Sequence, residues 1–318
     1  MSDACVPGPA TRATHVQLGA RRYDIRTRAL VMAILNRTPD SFYDRGATWS
    51  WDAFWSRAEV VVAEGADLLD VVAVKAGPGP EVDEQEEMDR LLPAVEGLVA
   101  RFDLPVSVDT WRASVARESF ALGAVVGNDI SGFADPAYLS TAAAANATVV
   151  ATHIRLAPRV ADPDPVYQDL VVDVRNFLME RAGRARQAGI PPERVVLDAG
   201  LDLGKTALQS LELLRASSEL ADLGYPLLLS ASNKTFLGKL FDLEVDQRHE
   251  ATAAAHALGV SLGCRLLRAH DVRSARRVRD MLQAILEASA QGANATSPVR
   301  ASSGHNQAPM RTTGDAQP

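Results

Sequence analysis

Short apolar runs rich in Val, Ile and Leu recur along the chain, separated by longer stretches in which apolar residues return every three or four positions. The runs fall at 29–36, 67–74, 104–109, 124–129, 147–153, 194–199, 226–232 and 264–270. They are apolar on both faces, as strands of a parallel sheet are when helices cover them. The stretches between them predict helices, among them 51–64, 84–100, 111–122, 166–188, 206–221, 248–258 and 274–288. Gly65, Gly123 and Gly189 stand where a helix should stop before the next run. Eight strands, each followed by a helix, predict an α/β fold of (β/α)8 TIM-barrel type over residues 15–289. A doubly wound open sheet is the rival, but it rarely needs so many regular βα units. The segment 14–27 alternates around Gly19-Ala20 and predicts a small N-terminal hairpin capping the bottom of the barrel. Residues 1–14 and 290–318, poor in apolar side chains, read as disordered tails.

Composition narrows the class. The chain has 318 residues, a net charge of −7, 47% hydrophobic and 23% charged residues. These values are those of a globular protein, and the acidic balance argues against nucleic acid as a partner. Cys5 and Cys264 sit at opposite ends and build neither a disulfide framework nor a zinc site. The N-terminus has no apolar run of signal-peptide type, and no uncharged stretch reaches a membrane span, so a cytoplasmic location and no membrane partner are expected.

In a TIM barrel the chemistry lies at the C-terminal ends of the strands. Those ends read Asn36, a Lys75-Ala76-Gly77-Pro78-Gly79 loop, Asp109, Asn128, His153, Asp198, Ser232-Asn233-Lys234, and Arg268 with His270. Any one of them alone is more often structural. Together they emerge straight from apolar runs, where buried polar groups need partners that a polar ligand would supply. Asp109, Asn128 and Asp198, with Lys234, offer the acceptors and donors that read a flat heterocycle. Asn36, Arg268 and His270 come from strands one and eight, neighbours once a barrel closes, and can hold an anion. The implied substrate is a base-like ring with a phosphorylated tail.

The residues 31–46 (VMAILNRTPDSFYDRG) resemble the first signature of the dihydropteroate synthases, a strand ending in Asn followed by Thr-Pro-Asp-Ser-Phe. The resemblance continues through VSVDTWRA (106–113), GNDISG (127–132), LDAGLDLGK (197–205), SASNKTFLG (230–238) and RAHDV (268–272). Six signatures in order at strand ends are specific. The resemblance implies a transferase of folate biosynthesis that joins a 7,8-dihydropterin-6-ylmethyl diphosphate to an arylamine such as p-aminobenzoate. It implies that Asp109, Asn128, Asp198 and Lys234 bind the pterin, and that Asn36, Arg268 and His270 bind the diphosphate, Asn36 also meeting a Mg²⁺. Asp44, Lys234 and Asp109 are the implied catalytic residues, Phe42, Lys75, Leu203 and Thr235 the arylamine side, and a homodimer the implied assembly.

The chain departs from the family pattern on one side. Where the family has Ser-Thr-Arg before Pro-Gly, this sequence has Lys75-Ala76-Gly77. Its Ser-Arg-Lys is Ser232-Asn233-Lys234, an aromatic is Leu203, and a glycine is Ser230. A lost Arg–carboxylate contact is worth about 1.5–3 kcal/mol. In this the chain resembles a divergent second actinobacterial paralogue thought not to make dihydropteroate. Two readings therefore stand beside each other: a working transferase, with Lys75 or Arg45 supplying the lost charge, and a paralogue that binds a pterin or related ligand without turnover. A pterin-dependent methyltransferase barrel is more distant, since no motif for a corrinoid partner is present.

Three motifs have simpler explanations. The glycines of GLDLGKT (200–206) are one residue too close for a nucleotide-phosphate loop. His249 and His256 lack a completing carboxylate–histidine spacing for a metal. Trp49, Trp51 and Trp55 are expected to pack.

Overall fold

The computed structural model describes residues 12–38 and 49–295. Most of both expected tails, and the loop carrying Phe42, Asp44 and Arg45, lie outside the described residues. The first element is the expected hairpin, β1 (His15–Leu18) antiparallel to β2 (Arg21–Asp24), with Leu18 opposite Arg21. Gly19 in its turn has φ +59°, and a Cβ there would meet the Val125 side chain at 2.8 Å, so both conformation and space require glycine.

Eight strands follow: β3 (Leu30–Asn36), β4 (Leu68–Val72), β5 (Val106–Asp109), β6 (Val126–Asp129), β7 (Thr148–Thr152), β8 (Val195–Asp198), β9 (Leu227–Leu229) and β10 (Leu266–Ala269). They pair in parallel and close as a barrel, β10 returning beside β3 with Leu266 opposite Leu30. The outer helices are α1 (Trp51–Ala63), α2 (Glu84–Arg101), α3 (Ala113–Ala121), α4 (Tyr138–Ala144), α5 (Leu170–Gln187), α6 (Ala207–Arg215), α7 (Ser217–Ala221), α8 (Thr235–Phe241), α9 (His249–Ser261) and α10 (Val272–Ala295). The TIM barrel with its hairpin cap is therefore the observed fold.

Where boundaries differ, local hydrogen bonds decide. The helix expected from 166 begins at Leu170, because the Asp169 side chain accepts from Val172 N and caps it there. The helix expected over 206–221 divides at Ala216, after a start fixed by a Thr206–Gln209 capping box. Helices α4 and α8 are too short for periodicity to reveal. Trp51 stacks on Trp55 at 5.7 Å, and Trp55 lies against Gly97 of α2, so Trp55 packs α1 onto its neighbour, whereas Trp49 and Trp51 remain exposed.

Candidate functional site

Side chains on a strand alternate between faces, so inward residues of the barrel form layers two positions apart. The lowest layer is apolar: Met32, Leu68, Val126, Val150, Val196, Leu228 and Leu266 pack with Val16, Leu18 and Ile25 around the hairpin, closing the N-terminal end. Two residues further along the same strands come Ile34, Asp70, Asn128, Thr152, Asp198, Ser230 and Arg268. Two more bring Asn36, Val72, Ile130, Ser232 and His270 to the mouth. A cavity of about 410 Å³ opens above these polar layers, at the C-terminal ends of the strands.

The cavity brings the expected residues together. Asn36, Asp109, Asn128, Asp198, Lys234, Arg268 and His270 line it, and so do Lys75, Leu203 and Thr235 on the side expected for the amine. His153, another strand-end residue, does not; its Nδ1 lies 2.8 Å from Lys205 Nζ, which also donates to Leu203 O at 2.9 Å. The glycine-rich turn before α6 is thus tied to its own barrel. Asn233 takes φ +54° and is buried away from the cavity, its N–H donating to Thr252 Oγ1 of α9 at 3.1 Å.

One functional residue escaped the sequence reading. Asp70 is fully buried under the cavity, accepting from Arg268 Nε at 2.7 Å, Ser107 Oγ at 2.6 Å and Asn128 Nδ2 at 3.3 Å. Its signal was a lone carboxylate inside the apolar run LLDVV. Arg268 also donates Nη2 to Asp109 at 2.8 Å, so its guanidinium belongs to the carboxylate layer rather than to an anion cluster alone. One guanidinium and two carboxylates, with Ser107 and Asn128, fix one another inside the barrel.

The electrostatics follow from burial. Burial raises Asp109, against the pull of Arg268, with Asp70 adding to the rise. Burial raises Asp198 too, opposed by Lys234, while Gly200 N donates to its Oδ1 at 2.8 Å. Lys234 is lowered by burial, and its Nζ donates to Leu201 O at 2.5 Å. His270 is held down to about 3 by burial and then by Arg268, Arg57 and Lys234, so it is neutral at physiological pH, its Nδ1 3.0 Å from Ser232 Oγ. Asp109 Oδ1 and Thr152 Oγ1 are buried with no hydrogen-bond partner among the described residues. Such atoms are costly unless a polar ligand meets them.

Among the described residues no group of three or more His, Cys, Asp or Glu could hold a metal ion, and no helix is long and apolar enough to cross a membrane.

The family model of the pterin binding enzymes matches residues 32–270, the span of this closed parallel barrel from β3 to β10. The inactive dihydropteroate synthase 2 of Mycobacterium leprae is 44% identical over 264 residues, covering 81% of this chain and 91% of that one. The dihydropteroate synthase of Bacillus subtilis is 38% identical over 278 residues, covering 87% and 94%. The structure of the Xanthomonas albilineans dihydropteroate synthase with 4-aminobenzoic acid superposes with a TM-score of 0.79 at 35% identity, covering 86% of this chain and 98% of that one. The chain belongs to the dihydropteroate synthase family.

Proposed function

We propose that the cavity binds a 7,8-dihydropterin-6-ylmethyl diphosphate and that the chain is a transferase joining the pterin to an arylamine such as p-aminobenzoate, with loss of diphosphate. The observation that carries this reading is the polar floor, where Asp109, Asn128, Asp198 and Lys234 bring acceptors and donors to one cavity. In this reading the carboxylates hold the ring's N–H groups and stabilise positive charge developing at the methylene as the C–O bond to diphosphate breaks. The amine, uncharged at neutral pH, forms the new C–N bond and releases its proton to the departing diphosphate or to solvent. Asn36, Arg268 and His270 hold the departing diphosphate. Its negative charge would oppose the push of Arg268, Arg57 and Lys234, which adds to burial in holding His270 neutral.

A Mg²⁺ would travel with the diphosphate. Asn36 lines the cavity and carries one amide oxygen, the kind of ligand suited to an ion that keeps most of its ligands on water and phosphate. When bound, such an ion supplies charge neutralisation at the leaving group. A cytoplasmic homodimer fits the same reading.

A second reading is pterin binding without turnover. It is favoured by the amine side, where Lys75, Ala76 and Gly77 line the cavity in place of a loop hydroxyl and guanidinium and Asn233 is turned away. Calorimetry with the pterin diphosphate, followed by a turnover assay with p-aminobenzoate, separates them. Tight binding with product supports the transferase, tight binding without product supports the second reading, and no binding removes both.

A further inference from the structure

Residues 153–169, between β7 and α5, hydrogen-bond to both loops on the amine side of the cavity. Towards β8, Tyr167 Oη donates to Gly204 O at 2.7 Å, and a Cβ on Gly204 would meet Asp162, the ion-pair partner of Arg155, at 2.9 Å. Towards β4, one residue makes three bonds to one short loop. Arg159 N donates to Ala76 O at 3.0 Å, its Nη1 to Lys75 O at 3.2 Å, and its Nη2 to Pro80 O. Arg159 does this at φ +66°, a conformation that residues with a side chain rarely adopt. An outlier of this kind persists where the surrounding contacts over-determine it.

Lys75, Ala76, Gly77 and Pro78 of the clamped loop line the cavity, whereas Arg159 itself does not. Loops are the mobile part of a barrel, and their carbonyls ordinarily bond to water. Here three of them in six residues go to a single partner from another βα unit. We propose that Arg159 is a positioning residue for the amine-acceptor half of the site, holding the 75–80 loop as a standing wall of the cavity. The assignment to an acceptor rests on the transferase reading above; the clamp itself does not.

Trypsin tests the clamp directly, because Lys75 is the only Lys or Arg between Arg57 and Arg90, and the carbonyl it would attack is the one Arg159 Nη1 holds. In the full chain, Arg159→Ala removes two of the three bonds, and release of the fragment ending at Lys75 should speed up by about tenfold relative to other cuts. Arg159→Lys, which keeps the charge without the fork, should fall between. Cutting at Lys75 unchanged by Arg159→Ala, or accelerated equally at every site, would overturn the clamp. Calorimetry with 6-hydroxymethylpterin should give the same affinity for wild type and Arg159→Ala, while KM for p-aminobenzoate rises more than kcat falls. A loss of pterin affinity matching the change at Lys75 would overturn the restriction to the acceptor half. Wild type that binds no pterin would instead remove the proposed function, with the trypsin result still deciding the clamp.

Discussion

The floor of the cavity and its amine-side rim are built by different means. The floor is carried on strands: Asp70, Asn128, Asp198 and Arg268 each stand two residues beyond an apolar side chain of the closing layer, so barrel register alone brings them to one level. The rim is carried on loops: Lys75 and Leu203 reach the cavity from segments tied down by Arg159, Tyr167 and Lys205, residues distant in sequence or outside the cavity. The departures from the family pattern gather on the rim, whereas the strand-borne residues keep it except at Ser230. A residue locked into a buried hydrogen-bonded layer cannot change without unfolding cost, but a loop residue can change as long as something else holds the loop.

That contrast can be broken most sharply at Asp70. Asp70→Ala leaves Arg268, Ser107 and Asn128 without a shared acceptor, and should cost about 3–5 kcal/mol of stability. A denaturant midpoint near wild type would show that the layer does not depend on it. Asp198→Asn comes next: losing the charge that faces Lys234 and a ligand donor should weaken pterin binding by one to two decades, from a charge-assisted contact of about 1.5–3 kcal/mol. Unchanged heat of binding would detach the floor from pterin recognition.

A pH measurement sharpens the comparison further. The folded value of His270, about 3, lies below its unfolded value near 6.5. The unfolded chain therefore takes up the proton first, and the stability this group contributes is complete above about pH 6.5 and lost as pH falls towards 3. His270→Asn should flatten the acid limb of stability against pH by about 1.4 kcal/mol per unit while leaving cleavage at Lys75 unchanged. An acid limb as steep as wild type would place that proton elsewhere. The smallest effect belongs to the rim. Leu203→Phe should change KM for p-aminobenzoate by less than about tenfold, the range of a modest change in apolar contact, and leave pterin affinity alone. A pterin affinity that moves with it would erase the division between floor and rim.

Much of the architecture was legible because a barrel repeats one simple rule. Apolar runs of strand length, glycine stops and helical stretches recur in register, and the polar residues closing the runs, His153 and Asn233 excepted, are the ones that line the cavity. Asp70 was hidden because it lies in the middle of a strand, and Arg268 looked like an anion ligand because its two carboxylate partners are 198 and 159 residues away. Arg159 gave no signal at all. An arginine in a polar loop is ordinarily solvated, and only three carbonyls brought alongside make it a clamp.

The amino-acid order by itself determined the barrel, the hairpin beneath it and the set of groups at the strand ends, since burial of alternate side chains and helix capping are local effects. Which of those groups are paired, which are left neutral and which loop is held still were decided by the closed barrel. Pairing and desolvation depend on neighbours from other strands and loops, and those distances exist only after the strands have met.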